Sequence, residues 1–167
     1  MSYSSSDNFG KIINQGIDYI LKAGFANDII VYQPEWRRQD MTKGRYLRIY
    51  ENGSSIEEQG AMYETRSYNY QISFYYQFSG DRTKKIYDDI ISNEWNNYYY
   101  YFMGFRDYQD HPTHGYCWHN IQFTEVSEVV WGFEDEEPDV GHIDAEVSFF
   151  RTNEFENLNI ALGGAGL

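Results

Sequence analysis

Tyr68-Asn69-Tyr70-Gln71-Ile72-Ser73-Phe74-Tyr75-Tyr76-Gln77-Phe78 is the stretch that decides the fold class of this 167-residue chain. Tyr68, Tyr70, Ile72, Phe74, Tyr76 and Phe78 share one parity, and Asn69, Gln71, Ser73 and Gln77 share the other, with Tyr75 the exception. A period of two sustained over this length predicts a long strand with one buried face, the pattern of an antiparallel sheet.

Working upstream, Tyr46-Leu47-Arg48-Ile49-Tyr50 alternates as a second strand expected to end at an Asn52-Gly53 turn. Asn52-Gly53-Ser54 also matches a glycosylation sequon but reads better as that turn. Ile29-Ile30-Val31-Tyr32 is a first strand, joined onward by the polar Gln39, Asp40, Lys43 and Gly44. Before it, Phe9, Ile12, Ile13, Ile17, Ile20 and Leu21 fall at helical spacing, with Gly24 where that helix should stop.

Downstream, Ser79-Gly80-Asp81 ends the long strand, and a second helix is expected from Arg82 or Thr83. Ile86, Tyr87, Ile90 and Ile91 mark its buried side, Trp95 its far end, and Asn96-Asn97 its break. Tyr98-Tyr99-Tyr100-Tyr101-Phe102 then reads as a short aromatic strand, followed by a loop over 106–115. Residues 116–131 look like a long β segment whose parity slips between Ile121/Phe123 and Val126/Val130, which predicts a bulge near Thr124-Glu125. The last strand, 142–150, points Ile143, Ala145, Val147 and Phe149 inward. The expected fold is α+β, a mainly antiparallel β-sheet with two α-helices packed on one face. One domain should span 1–152, with a flexible tail over 153–167 in which Leu158, Ile160 and Leu162 alternate.

Composition narrows the function. Thirteen Lys+Arg against 26 Asp+Glu give a net charge of −13, which argues against a protein that grips nucleic acid through its phosphates. An aromatic content of 19% excludes a solvated acidic tail. The single cysteine, Cys117, cannot form an internal disulfide, and no run approaches the length of a membrane span. Residues 1–7 have neither a basic stretch nor an apolar run, so no signal peptide is expected.

Four residues carry the one pattern that suggests metal chemistry: His111, His114, Cys117 and His119. Cys117 and His119 would share a strand face, with both earlier histidines on the preceding loop. Their spacing matches no recognised zinc pattern, and i, i+2 side chains on a strand stand roughly 6–7 Å apart, wide for one ion. The ordinary alternative is a polar loop with a small buried thiol, and no metal or other cofactor is expected. The local carboxylates and rings also disfavour a Cys-His nucleophile. Asp88-Asp89 reads as a solvated helix face.

Two features bear on assembly. The acidic run Glu134, Asp135, Glu136, Glu137 and Asp139 reads as a solvated hairpin tip or as the lining of a pore that repels polyanions. If residues 98–102 form a strand, rings stand on both of its faces, and one face must find another partner. On that reading Tyr75, Tyr99 and Tyr101 are the expected oligomer-interface residues.

The order of elements resembles a known family: the helix at 9–21, then Tyr46-Leu47-Arg48-Ile49-Tyr50, then Glu64-Thr65-Arg66-Ser67-Tyr68-Asn69-Tyr70-Gln71-Ile72. Next come Ile86-Tyr87-Asp88-Asp89-Ile90-Ile91 and a last strand ending Ile143-Asp144-Ala145-Glu146-Val147-Ser148-Phe149. Over residues 8–152 this is similar to the tail terminator proteins of long-tailed bacteriophages. The resemblance implies a structural virion protein and no enzyme. Six copies would form a ring at the head-proximal end of the tail, made in the host cytoplasm. It would meet the tail tube protein on one face and a neck or head-completion protein on the other, with no membrane contact. DNA would pass through the lumen without specific binding, and a ring of six would carry a charge of about −78. The family has no residue motif to carry over, so assigning the lumen to residues 134–139 rests on charge alone. The alternatives are a neck or head–tail connector protein, a metal-dependent enzyme using His111, His114, Cys117 and His119, and a ligand-binding module built on exposed tyrosines.

Overall fold

The structure, a computed structural model, describes residues 5–32, 44–77, 84–131 and 140–155. Its elements are α1 (Ser5–Gly24), β1 (Ile29–Val31), β2 (Gly44–Gln59), β3 (Tyr63–Gln77), α2 (Lys84–Gly104), β4 (Asn120–Val126), β5 (Val130–Trp131) and β6 (Val140–Glu154). They form an α+β fold. The sheet runs β1-β2-β3-β6-β4, with β5 also on β6, and every pairing is antiparallel except β1 with β2.

The long strand is the centre of the sheet, as its alternation requires. Tyr68, Tyr70, Ile72 and Phe74 pair in register with Phe149, Val147, Ala145 and Ile143 of β6. All eight are buried, and beneath them lie Ile13, Ile17, Ile20 and Leu21 of α1 and Ile91, Trp95, Tyr98 and Phe102 of α2. A stripe on each helix thus closes the apolar face of the sheet. Phe25 stacks on Tyr98 at 4.1 Å between ring centres, and Trp118 meets Phe149 edge-on at 4.8 Å. Arg45 of β2 pins these layers together: it binds Asp28 at 2.7 Å and also pairs with Glu94 of α2, while the Tyr98 hydroxyl donates to Asp28. The expected bulge is present, since β4 shifts register against β6 between Phe123 and Glu125.

The structure corrects several expectations. Residues 98–102 are not a strand, and Asn96-Asn97 does not break the helix: α2 runs unbroken to Gly104. Each Asn costs at most ~0.7 kcal/mol relative to Ala in a helix, less than the burial of one large ring supplies at ~1.5–3 kcal/mol. Both asparagines face solvent while Trp95, Tyr98 and Phe102 are buried. The Asn52-Gly53 turn is instead a bulge inside β2, with Gly53 at φ 84°, and the chain reverses at residues 60–62. The segment before β4 is not a strand either: it is a clasp held by isolated bridges Tyr108–Trp118 and His111–Gly115, turned by Gly115 at φ 64°. The last strand, expected over 142–150, is longer: β6 runs Val140–Glu154.

Candidate functional site

The His-Cys group does not converge. His111 and His114 stack face to face with ring centres 4.9 Å apart. His111 Nδ1 accepts the backbone N–H groups of Thr113 at 3.1 Å and His114 at 3.2 Å. His114 Nε2 donates to the side-chain carbonyl of Gln15 on α1, and the Tyr19 ring closes over His111 at 5.3 Å. Both imidazoles therefore lock the clasp onto α1. Burial, and the neighbouring His114, keep His111 below the ordinary imidazole pKa. Cys117 is fully buried against α1, and that burial pushes its thiol up to about 11. His119 faces solvent, so the expected common face of Cys117 and His119 is not formed. No group of three His, Cys, Asp or Glu residues fit to hold a metal ion occurs among the described residues.

Of the rings expected at an interface, Tyr75 is buried within the subunit and Tyr99 and Tyr101 are half-buried against its core. Tyr75 is buried on the sheet face away from the helices and stacks on His142 at 4.9 Å. Tyr99 packs on Phe123 at 4.9 Å, and the Tyr101 hydroxyl donates to the Ile20 carbonyl, joining α2 to α1. The physical reason is the helix: 100° per residue spreads successive rings around α2, so Tyr98 and Phe102 go to the core and Tyr100 (70% exposed) to solvent. The sequence carried that signal, because Ile91, Trp95, Tyr98, Phe102 and Phe105 form one unbroken i+4, i+3 stripe. Within α2 the core thus takes up Trp95, Tyr98 and Phe102. The acidic residues Glu134, Asp135, Glu136, Glu137 and Asp139 lie outside the described residues.

Two polar networks went unnoticed in the sequence. On the open sheet face, Asp144 accepts from the fully buried Ser73 hydroxyl at 2.6 Å and pairs with His142 Nε2 at 3.2 Å. Burial works to raise the Asp144 carboxyl, but His142, Ser73 and the charge of Arg48 outweigh it and hold it below the usual carboxylate value. At the other end of β6, Arg151 donates to the carbonyls of Tyr116 at 2.6 Å and Cys117 at 3.0 Å and to Asn153 Oδ1 at 3.0 Å. Its guanidinium also lies 4.5 Å from the Tyr116 ring centre. Asn153 donates on to Glu64 and to the Tyr68 hydroxyl. Buried polar groups so fully paired fix the clasp to the sheet end.

The outer strand of the β2–β3 hairpin faces outward, while β3 stays paired with β6 to its end at Tyr63 and Glu154. Residues 51–59 are all exposed, whichever face their parity assigns. Ile56 is 50% exposed, and Met62 and Tyr63 stand at the tip. β1 pairs with β2 only at 46–48, so beyond Arg48 the outer edge of β2 has no strand partner among the described residues. An unpaired edge is a template for another strand. Beside it, between α1 and β2, opens a cleft of about 420 Å³ lined by Asn14, Asp18, Tyr32, Ile49, Glu51 and Tyr70. The candidate site is therefore the exposed outer strand of this hairpin, its edge without a strand partner among the described residues, and the cleft beside it. Compared with known protein families and with curated proteins, the chain matches none. Among the described residues no helix is long and apolar enough to cross a membrane.

Proposed function

We propose that this chain is a structural assembly subunit of the tail-terminator type, six copies of which close into a ring that ends a phage tail tube and joins it to the neck. The observation that carries the reading is the outer strand of the β2–β3 hairpin: residues 51–59 of β2 are all exposed, and the outer edge of β2 beyond Arg48 has no strand partner among the described residues. Residues 51–59 add little to the core of their own subunit, and this end of the hairpin offers main-chain hydrogen bonds and Ile56, Met62 and Tyr63 to a neighbour. The resemblance in element order supports the same reading. So does the net charge of −13, which would let DNA slide through a ring without sticking.

The test is native mass spectrometry and negative-stain electron microscopy of the purified chain, alone and with purified tail tubes. Six-fold rings, or caps on tube ends, are expected. Ile56→Asp should leave the fold intact, since Ile56 is half exposed, and should abolish the rings. A chain that stays monomeric in both settings overturns the proposal. Binding to purified heads and not to tubes would favour the neck or connector alternative.

A further inference from the structure

Asn52-Gly53, which the sequence marks as a turn and the fold uses as a bulge, has a chemistry that neither role requires. No other asparagine in the chain precedes a glycine. Glu51 pairs with Tyr70 and Ser54 with Tyr68, so Asn52 and Gly53 stand together opposite Asn69 alone. On their other side the edge of β2 has no strand partner among the described residues. Both residues are exposed, and no hydrogen bond holds the Asn52 side chain among the described residues. Gly53 has φ 84°, and a Cβ placed on it would meet nothing within 4 Å. A following residue without a Cβ removes the steric screen that a side chain puts over its amide nitrogen. Other asparagines lack this combination. Asn93, Asn96 and Asn97 sit inside α2, where the next amide belongs to the helix ladder. Asn27 is exposed in a turn, but the N–H of Asp28 after it donates to the Phe25 carbonyl at 3.1 Å.

We propose that Asn52-Gly53 is a site of spontaneous covalent modification, where the chain converts its own asparagine to aspartate and isoaspartate. The Gly53 amide nitrogen, as its proton is lost to base, attacks Cγ of Asn52. The N–Cγ bond forms, the Cγ–Nδ2 bond breaks, and the side-chain amide leaves as ammonia. One water then opens the five-membered imide. Opening at the side-chain carbonyl leaves aspartate. Opening at the main-chain carbonyl leaves isoaspartate, in which the main chain runs through the side-chain methylene and is one atom longer. The bulge tolerates that extra atom, because two residues already oppose one there. Each event adds one negative charge to residues 49–59, which already hold Glu51, Glu57 and Glu58 and no Lys or Arg. This inference does not depend on the ring.

The experiment holds the full folded chain at pH 8 and at pH 6 and samples it over days by peptide mass spectrometry. Trypsin cuts after Arg48 and Arg66, and the peptide 49–66 contains no asparagine besides Asn52. That peptide should gain one mass unit and split into two chromatographic forms, one of which an isoaspartyl methyltransferase labels. Conversion should be faster at pH 8. Its rate should lie within about tenfold of that in the urea-unfolded chain, because an exposed edge segment opens locally at little cost. Asn52→Gln should abolish the gain, because a six-membered imide closes far more slowly, and should keep the fold, because Asn52 is exposed. Three results overturn the proposal: position 52 intact in the folded chain while the unfolded chain converts, a gain in this peptide that survives Asn52→Gln, or earlier conversion at another asparagine. Failure of ring formation in the earlier test leaves these outcomes unaffected.

Discussion

Gly10→Ala should stabilise the protein and Gly16→Ala should destabilise it, although both glycines sit inside α1. In a helix interior Ala is favoured over Gly by ~0.8–1 kcal/mol. At Gly10 an added Cβ would stand 3.7 Å from its nearest neighbour, Tyr68 Cε1, an ordinary contact, so the gain is kept. At Gly16 it would stand 2.7 Å from Trp118 Cζ3 and 3.1 Å from Cys117 Sγ. Trp118 is fully buried and its indole N–H donates to the Phe105 carbonyl at 2.7 Å. The ring can retreat only by weakening that bond. Overpacking costs ~1–3 kcal/mol and a weakened hydrogen bond up to ~1.5 kcal/mol, against a propensity gain of ~1 kcal/mol. The net is a loss of ~1–2 kcal/mol at Gly16, and the two variants should differ by ~2–3 kcal/mol. For a chain of this size that is a Tm raised by about 2–3 °C for one and lowered by about 3–6 °C for the other. Urea unfolding followed by tryptophan fluorescence, with calorimetry, measures both. Equal stability of the two variants, or a more stable Gly16 variant, would refute the placement of Trp118 under α1.

Stability should fall on acidification in two stages. The lowered pKa of His111 means the unfolded chain binds its proton first, so the stability it contributes is complete above about 6.5 and is lost as pH falls through the lower folded value. His111→Asn should remove that first stage from the pH dependence of urea midpoints. Asp144 contributes likewise above 3.8 and loses its contribution below it, and Asp144→Asn should flatten the acid limb. Cys117 should stay unlabelled by thiol reagents at pH 8 and react at the rate of global unfolding, because it is buried with a thiol pKa near 11. Rapid native labelling would show that the clasp opens on its own. Arg151→Met should cost about 3 kcal/mol by stranding the carbonyls of Tyr116 and Cys117, and amide exchange should quicken across residues 106–119.

The sequence by itself determined the layers of this protein. The alternation from Tyr68 onward fixed a central antiparallel strand, the slipped parity after Phe123 fixed a bulge, and the stripe from Phe9 to Leu21 fixed the first helix. These are local patterns with a single physical cause, the burial of one face. Tertiary structure decided what local propensity misread. Tyr98 to Phe102 favour strands taken alone, yet they are helical because Trp95, Tyr98 and Phe102 reach the same core as Phe149. Asn52-Gly53 has the chemistry of a turn, yet β3 offers partners on both sides of it and the strand runs through as a bulge. His111, His114, Cys117 and His119 are neighbours in the chain, yet only His111 and His114 stay together, stacked on the clasp, while Cys117 is buried against α1 and His119 faces solvent. The cleft at the edge of β2 depends on where β1 stops pairing, which no short window of sequence encodes. Side-chain period is written in neighbouring residues, whereas the convergence of distant ones is settled only when the layers pack.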